Sequence, residues 1–217
     1  MSLLLLHGAI DAWSLQNKRP FSGLSTTELE RGALEGLTLS RPDLEVATVV
    51  LAELEQRSRK AARIAKKNIE NSLDQIGHEP IKWLFQVREN IKYLSFEDTP
   101  NDNYTTSLYV ILRDGVTQIG RYRMYVGQTK NTPEHRFEEH LAGVKSGRGL
   151  QKNGLQLMRS LMWPWQKVPG ARRLCYEAAL HRALELNNSG GPILSGDAVQ
   201  PNEWPTGFQM LLQEQLF

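Results

Sequence analysis

The chain has 217 residues, 40% hydrophobic and 23% charged, with a formal net charge of +2. These proportions exclude long disorder and suit one generous domain, or one compact domain with an extension. A single cysteine, Cys175, excludes an intrachain disulfide framework and fits a reducing compartment. The apolar run Leu3–Leu6 is too short for a signal peptide or a membrane span. The expectation is a cytoplasmic protein with no membrane partner, and the mild basicity carries no message about nucleic acid until local clusters are read.

In chain order, Ser25-Thr26-Thr27-Glu28 matches a capping box and predicts a helix to about Leu37. A much longer helix is expected after Pro42. Ala47, Leu51, Leu54, Ser58, Ala61, Ala65, Ile69 and Ile76 form its stripe, with Gly77 and Pro80 as stop signals. Within it Arg57, Arg59, Lys60, Arg63, Lys66 and Lys67 are six cations with no acid between them, a solvated face by default but also a natural contact for a phosphate backbone. A third helix is expected from about Pro80, with Trp83, Leu84, Val87, Ile91 and Leu94 on its apolar side.

After the polar connector 97–103 the period changes. Ser107–Leu112 and Arg121–Gly127 read as two strands of a hairpin, with a loop around residues 114–120. Tyr122, Met124 and Val126 share one face of the second strand, and Arg121, Arg123 and Tyr125 share the other. Thr132 and Pro133 start a helix that should reach about Ala142. Further helices are expected over 151–162, over 171–186 and at the C-terminal end, with a weak strand near 165–168. The fold class expected is α+β: a small antiparallel three-stranded sheet flanked by helices in residues 101–217, preceded by a helical region in residues 1–100.

The hairpin delivers Tyr109 and Tyr125 from paired strands, and the second strand ends in Tyr125-Val126-Gly127-Gln128-Thr129. The next helix carries Arg136 and His140 at i and i+4, on one face. Glu177 follows on a later, largely apolar helix, and Asn187 and Asn188 follow that. Singly, each has a bland reading: tyrosines favour strands, charged helix faces are solvated, Glu177 could pair with Arg172 or Arg173 on the surface, and asparagines end helices.

Taken in order, the set resembles the GIY-YIG nuclease family over roughly residues 105–190. The family's two strand motifs correspond to the neighbourhood of Ser107-Leu108-Tyr109 and to Tyr125-Val126-Gly127; its helix arginine to Arg136; the histidine of restriction-type members to His140; its metal-binding glutamate to Glu177; and its closing asparagine to Asn187 or Asn188. Ser107 stands where the family has glycine, and Gln128 stands where many members have lysine, with Lys130 close by. The resemblance implies a divalent-metal-dependent endonuclease hydrolysing phosphodiester bonds in DNA. Its cofactor would be Mg²⁺ or Mn²⁺ on Glu177. Tyr109 would be the general base, Tyr125 would orient water or phosphate, Arg136 would clamp a phosphate oxygen, and His140 would assist. Gly127, Gln128, Lys130, Asn187, Asn188 and the six helix cations would contact the substrate. A restriction or defence enzyme, acting as a homodimer to cut both strands, is the expected setting. The altered first motif and Gln128 favour instead a non-catalytic nucleic-acid-binding module, and an antibacterial nuclease toxin shares the same chemistry.

Overall fold

The computed structural model describes residues 2–13, 19–91, 104–117, 120–147, 149–162 and 168–169, with Glu177, Leu180, Leu184, Leu194 and Ser195. The fold is α+β and separates into two compact units, Met1–Lys82 and Trp83–Phe217. None of the described helices is long and apolar enough to cross a membrane.

The first unit is helical: α1 (Ser2–Asp11), α2 (Thr26–Leu37), α3 (Leu44–Glu55) and α4 (Lys60–Gln75). The Leu3–Leu6 run belongs to α1, whose Leu3, Leu6 and Ile10 are buried. The α1 side chains reach the backbone of α2 because glycines stand there. A Cβ on Gly32 would lie 2.5 Å from Leu6, and one on Gly36 3.2 Å from Leu3. Helix α2 starts on the expected capping box. The Glu28 backbone N–H donates to Ser25 Oγ, and the Ser25 backbone N–H donates to the Glu28 carboxylate. Asp43 caps α3 through the Val46 N–H and also meets His7 at 2.6 Å.

The single long helix expected after Pro42 is two helices, with a break at residues 56–59. The cations cause part of this. Arg59 takes the N-cap of α4 with no side-chain cap bond, a position where a positive side chain gains nothing from the helix dipole. Arg57 turns inward. Its Nε donates to Glu53 at 2.9 Å, Arg19 holds the same carboxylate at 2.8 and 3.0 Å, and Arg57 also donates to the Phe21 carbonyl. Glu53 is 4% exposed. Burial pushes its carboxyl up, but the two guanidiniums outweigh burial and hold it below the usual carboxylate range. Arg57 therefore belongs to a buried ion cluster rather than to a solvated basic face. Lys66 pairs with Glu55 at 2.8 Å. Arg59, Lys60, Arg63 and Lys67 remain exposed. After the break the buried stripe is Ala62, Ala65, Ile69 and Leu73, so Ala61 and Ile76 face outward instead.

The second unit begins with α5 (Leu84–Ile91), followed by β1 (Tyr104–Thr117), β2 (Gly120–Thr129), α6 (Pro133–Leu141), α7 (Leu150–Asn153), β3 (Gly154–Leu157) and α8 (Arg159–Met162). The three-stranded antiparallel sheet has the order β2-β1-β3. Two-residue strands are added to it, β4 (Val168–Pro169) beside β1 and β5 (Leu194–Ser195) parallel to β2. The hairpin extends further than expected. Pairing runs through Arg113↔Arg123 and Asp114↔Tyr122 to Thr117↔Gly120 with one register shift, so the strands continue through 114–117 and from 120 into the proposed 114–120 loop. The helix expected over 151–162 is interrupted by β3, because Gly154 weakens the helix and the edge of β1 offers a ladder: Ile111↔Leu157 and Leu112↔Gln156. One sheet face buries Leu108, Val110, Leu112, Tyr122, Met124 and Val126, and the other buries Tyr109 and Ile111. Arg88 of α5 donates to the Ser160 carbonyl beside α8. The strand expected near 165–168 meets the described residues only at Val168, where β4 begins; its remainder, most of the helix over 171–186 and the C-terminal helix lie outside the described residues.

Candidate active site

Strand alternation and the β1–β2 register put Tyr109, Ile111, Tyr125 and Gly127 on one sheet face. Helix α6 lies over that face. Thr132 starts it by accepting the His135 N–H, with Pro133 in its first turn. Its i, i+4 pair, Arg136 and His140, then meets the tyrosines. Tyr109 Oη and His140 Nε2 are 2.7 Å apart. The Tyr109 and Tyr125 rings stack with centroids 6.1 Å apart, and the His140 ring stands edge-on to Tyr125 at 5.5 Å.

Gly127 makes room for this group. A Cβ there would lie 2.5 Å from the Tyr109 hydroxyl and 2.9 Å from the Tyr125 ring, so the phenol of Tyr109 sits where any other residue would put a side chain. The sequence pattern pointed to Gly127 as a close approach of backbone to ligand. Here the close approach is to Tyr109.

The loop after α6 completes the arrangement. The Gly147 N–H donates to His140 Nδ1 at 3.3 Å. A neutral imidazole accepting at Nδ1 carries its proton on Nε2. His140 then donates to Tyr109, whose own hydroxyl proton is left to point elsewhere. Gly147 also needs its missing side chain, since a Cβ would lie 2.7 Å from the Tyr125 ring. Arg136 is tied to the same loop: it donates to the Lys145 carbonyl at 2.8 Å and to Glu139 at 2.8 Å. Gly147 was not among the residues picked out from the sequence. The clustering of Gly143, Gly147 and Gly149 directly after α6, two of them at positive φ, is the signal that marks this loop.

Tyr109 is 1% exposed and His140 is 0% exposed, while Tyr125 and Arg136 are partly open. Burial pushes the Tyr109 phenol well above its ordinary value, negative charge on Tyr125 adds to this, and Arg136 opposes it. Burial, then the Arg136 charge, lowers His140 to about 4, so the ring is neutral at pH 7.

No family model, curated protein or solved structure matches the chain. The chemistry of the site is therefore read from its own residues. Glu177 is helical and 5% exposed. It shares the i, i+3, i+7 stripe with the fully buried Leu180 and Leu184, which sets it apart from a surface ion-pair residue. Its carboxylate accepts from Gln128 Nε2 at 2.8 Å. By alternation Gln128, opposite Leu108, belongs to the other sheet face from Tyr125 and Gly127. Glu177 is thus joined to the tyrosine group through adjacent residues of β2, Gly127 and Gln128. Lys130 is exposed just past the strand. Asn187 and Asn188 lie outside the described residues. Among the described residues there is no group of three or more His, Cys, Asp or Glu that could hold a metal ion.

Proposed function

We propose that residues 105–190 form a divalent-metal-dependent endonuclease of DNA resembling the GIY-YIG family, in a restriction or defence setting. One observation carries the reading: Tyr109, Tyr125, Arg136 and His140 converge around a residue that has to be glycine. Phosphodiester hydrolysis needs a water, a group to take its proton and positive charge on the phosphoryl oxygens. Tyr109 would take the proton. Its phenolate, disfavoured by burial, would be held by the His140 Nε2–H and by the Arg136 charge. The more open Tyr125 would orient the water or phosphate, and the guanidinium fork of Arg136 would hold a phosphate oxygen.

A single buried carboxylate offers one hard oxygen ligand to Mg²⁺ or Mn²⁺, which would keep most of its shell for water and substrate phosphate. Glu177 would hold it, and the ion would supply Lewis acidity at the phosphate. The exposed Arg59, Lys60, Arg63 and Lys67 belong to the same proposal as DNA-backbone contacts.

A second reading has its own support. The burial and raised pKa of Tyr109 also suit a non-catalytic nucleic-acid-binding module, in which the tyrosine–histidine pair is structural. Plasmid incubated with the purified chain in Mg²⁺ or Mn²⁺ separates the two. Metal-dependent cleavage is expected, reduced by roughly 10²-fold or more in Glu177→Ala and Tyr109→Phe, the scale seen when one electrostatic or acid–base group is removed. Discrete fragments would indicate sequence specificity. Binding without any metal-dependent product would leave the module reading, and a Glu177→Ala variant as fast as the parent would remove the metal role.

A further inference from the structure

Among the described residues Lys145 is the one non-glycine at positive φ, 43°. Its Cβ crowds the backbone there, so the conformation persists only where the surroundings impose it, and such a residue points to what the strain holds in place. The Lys145 side chain is exposed, so its own burial does not repay the strain.

The backbone contacts on either side do. After α6 the Gly143 N–H donates to the His140 carbonyl at 3.1 Å and the Val144 N–H to the Glu139 carbonyl at 2.8 Å, which ties the start of the loop to the helix. Left-handed turns at Gly143 and Lys145 then fold the chain back over α6. The Lys145 carbonyl accepts from Arg136 Nη2 at 2.8 Å, and two residues later the Gly147 N–H donates to His140 Nδ1 at 3.3 Å. The far end is held by the Leu150 N–H, which donates to the Gly147 carbonyl at 3.0 Å. Arg136 and His140 are i, i+4 on α6, so one short stretch of loop spans both.

We propose that Lys145 and Gly147 are positioning residues, and that this one strained turn sets the aim of the Arg136 fork and the tautomer of His140 together. With the turn in place, His140 carries its proton on Nε2 and donates to Tyr109, which supports the ionised phenol. A loop that lets go of Arg136 also withdraws the Gly147 N–H. The ring can then carry its proton on Nδ1 and accept from Tyr109, which supports the neutral phenol. What this coupling does for catalysis rests on the nuclease reading; the tautomer and its control do not.

The tautomer is read by ¹⁵N NMR of the His140 ring in the full chain at pH 7, assigned by its loss in His140→Gln. The parent should show a protonated Nε2 and an unprotonated Nδ1. In Lys145→Ile, whose branched side chain resists positive φ, the two ring signals should move toward each other as the Nδ1–H form enters. Lys145→Gly adopts that φ without strain and must keep the parent's ring signals. Both variants remove the same charge, so their difference reports the backbone. Arg136→Ala cuts the other end of the tie, should shift the ring as Lys145→Ile does, and serves where Lys145→Ile does not fold. A parent protonated on Nδ1, or an unchanged ring in either folded variant, overturns the proposal; a turn that served stability alone would lower the melting point of Lys145→Ile and leave the ring as it was. In a parent that cuts DNA, kcat should fall roughly 10²-fold in Lys145→Ile, the scale of a small misplacement at a reacting centre, and be rescued in Lys145→Gly. The expected tautomer and its loss in Lys145→Ile, in a chain that never cuts DNA, would uphold the positioning and reject the nuclease. Metal-dependent cleavage by a parent protonated on Nδ1 would do the reverse.

Discussion

Both units bury ionisable groups, but in opposite ways. In the helical unit Glu53 is buried and answered by two guanidiniums, Arg57 from the interior and Arg19 from the solvent side, so the cluster is charged and satisfied. In the sheet unit Tyr109 and His140 are as deeply buried, yet desolvation dominates. The phenol is pushed up and the imidazole down, so both stay neutral at pH 7. A charged, satisfied cluster holds structure in place. In the proposed nuclease, a neutral pair whose charged forms are held back by burial would change state when a cation or phosphate arrives. The difference lies in the neighbours: those of Glu53 complete its charge, whereas those of Tyr109 and His140 leave both groups neutral.

The largest expected effect breaks the satisfied cluster. Glu53→Ala frees Arg19 to solvent but leaves Arg57 without its buried carboxylate, a loss of about 1–3 kcal/mol for an unsatisfied buried donor. Urea denaturation should show it, and a loss below about 1 kcal/mol would mean that the pair is dispensable. The basic run divides along the same line. Arg57→Gln should lower stability, whereas Arg63→Gln/Lys67→Gln should leave stability unchanged and only flatten the salt dependence of DNA binding.

Gly127→Ala comes next. Its methyl group would enter the space of the Tyr109 ring, with an overpacking cost of about 1–3 kcal/mol, and the displaced phenol should lose its contact with His140. Melting and metal-dependent cleavage should fall together. A variant that melts lower yet cuts at the parent rate would show that the seat of Tyr109 serves stability only.

The effect confined to the narrowest range of conditions is read by pH. His140 titrates near 4 in the folded chain and near its ordinary 6.5 when unfolded, so the unfolded state binds the proton first as pH falls. Its contribution to stability is present above about 6.5 and is lost as pH drops toward about 4. The urea midpoint of the parent should therefore fall more steeply across this window than that of His140→Gln. Parallel curves would place the acid sensitivity elsewhere.

Local signals in the sequence carried much of this architecture. The Ser25–Glu28 box, the Thr132–Pro133 start and the alternation of Tyr122, Met124 and Val126 are effects within a few residues, and each appears as expected. So do the α+β class, the hairpin and the meeting of Tyr109, Tyr125, Arg136 and His140, because register and helical spacing bring them to one face. Other features depended on distant partners. The helix period through residues 47–76 gave no sign that Glu53 would draw Arg57 inward, or that the helix would break beside it. Leu155 and Leu157 fit a helix until the edge of β1 offers a ladder. Gly147 gains meaning only when its loop meets His140 and Tyr125. Side-chain pattern determines which faces exist. Burial and long-range pairing, which no local window contains, decide which groups carry an answered charge and which stay neutral.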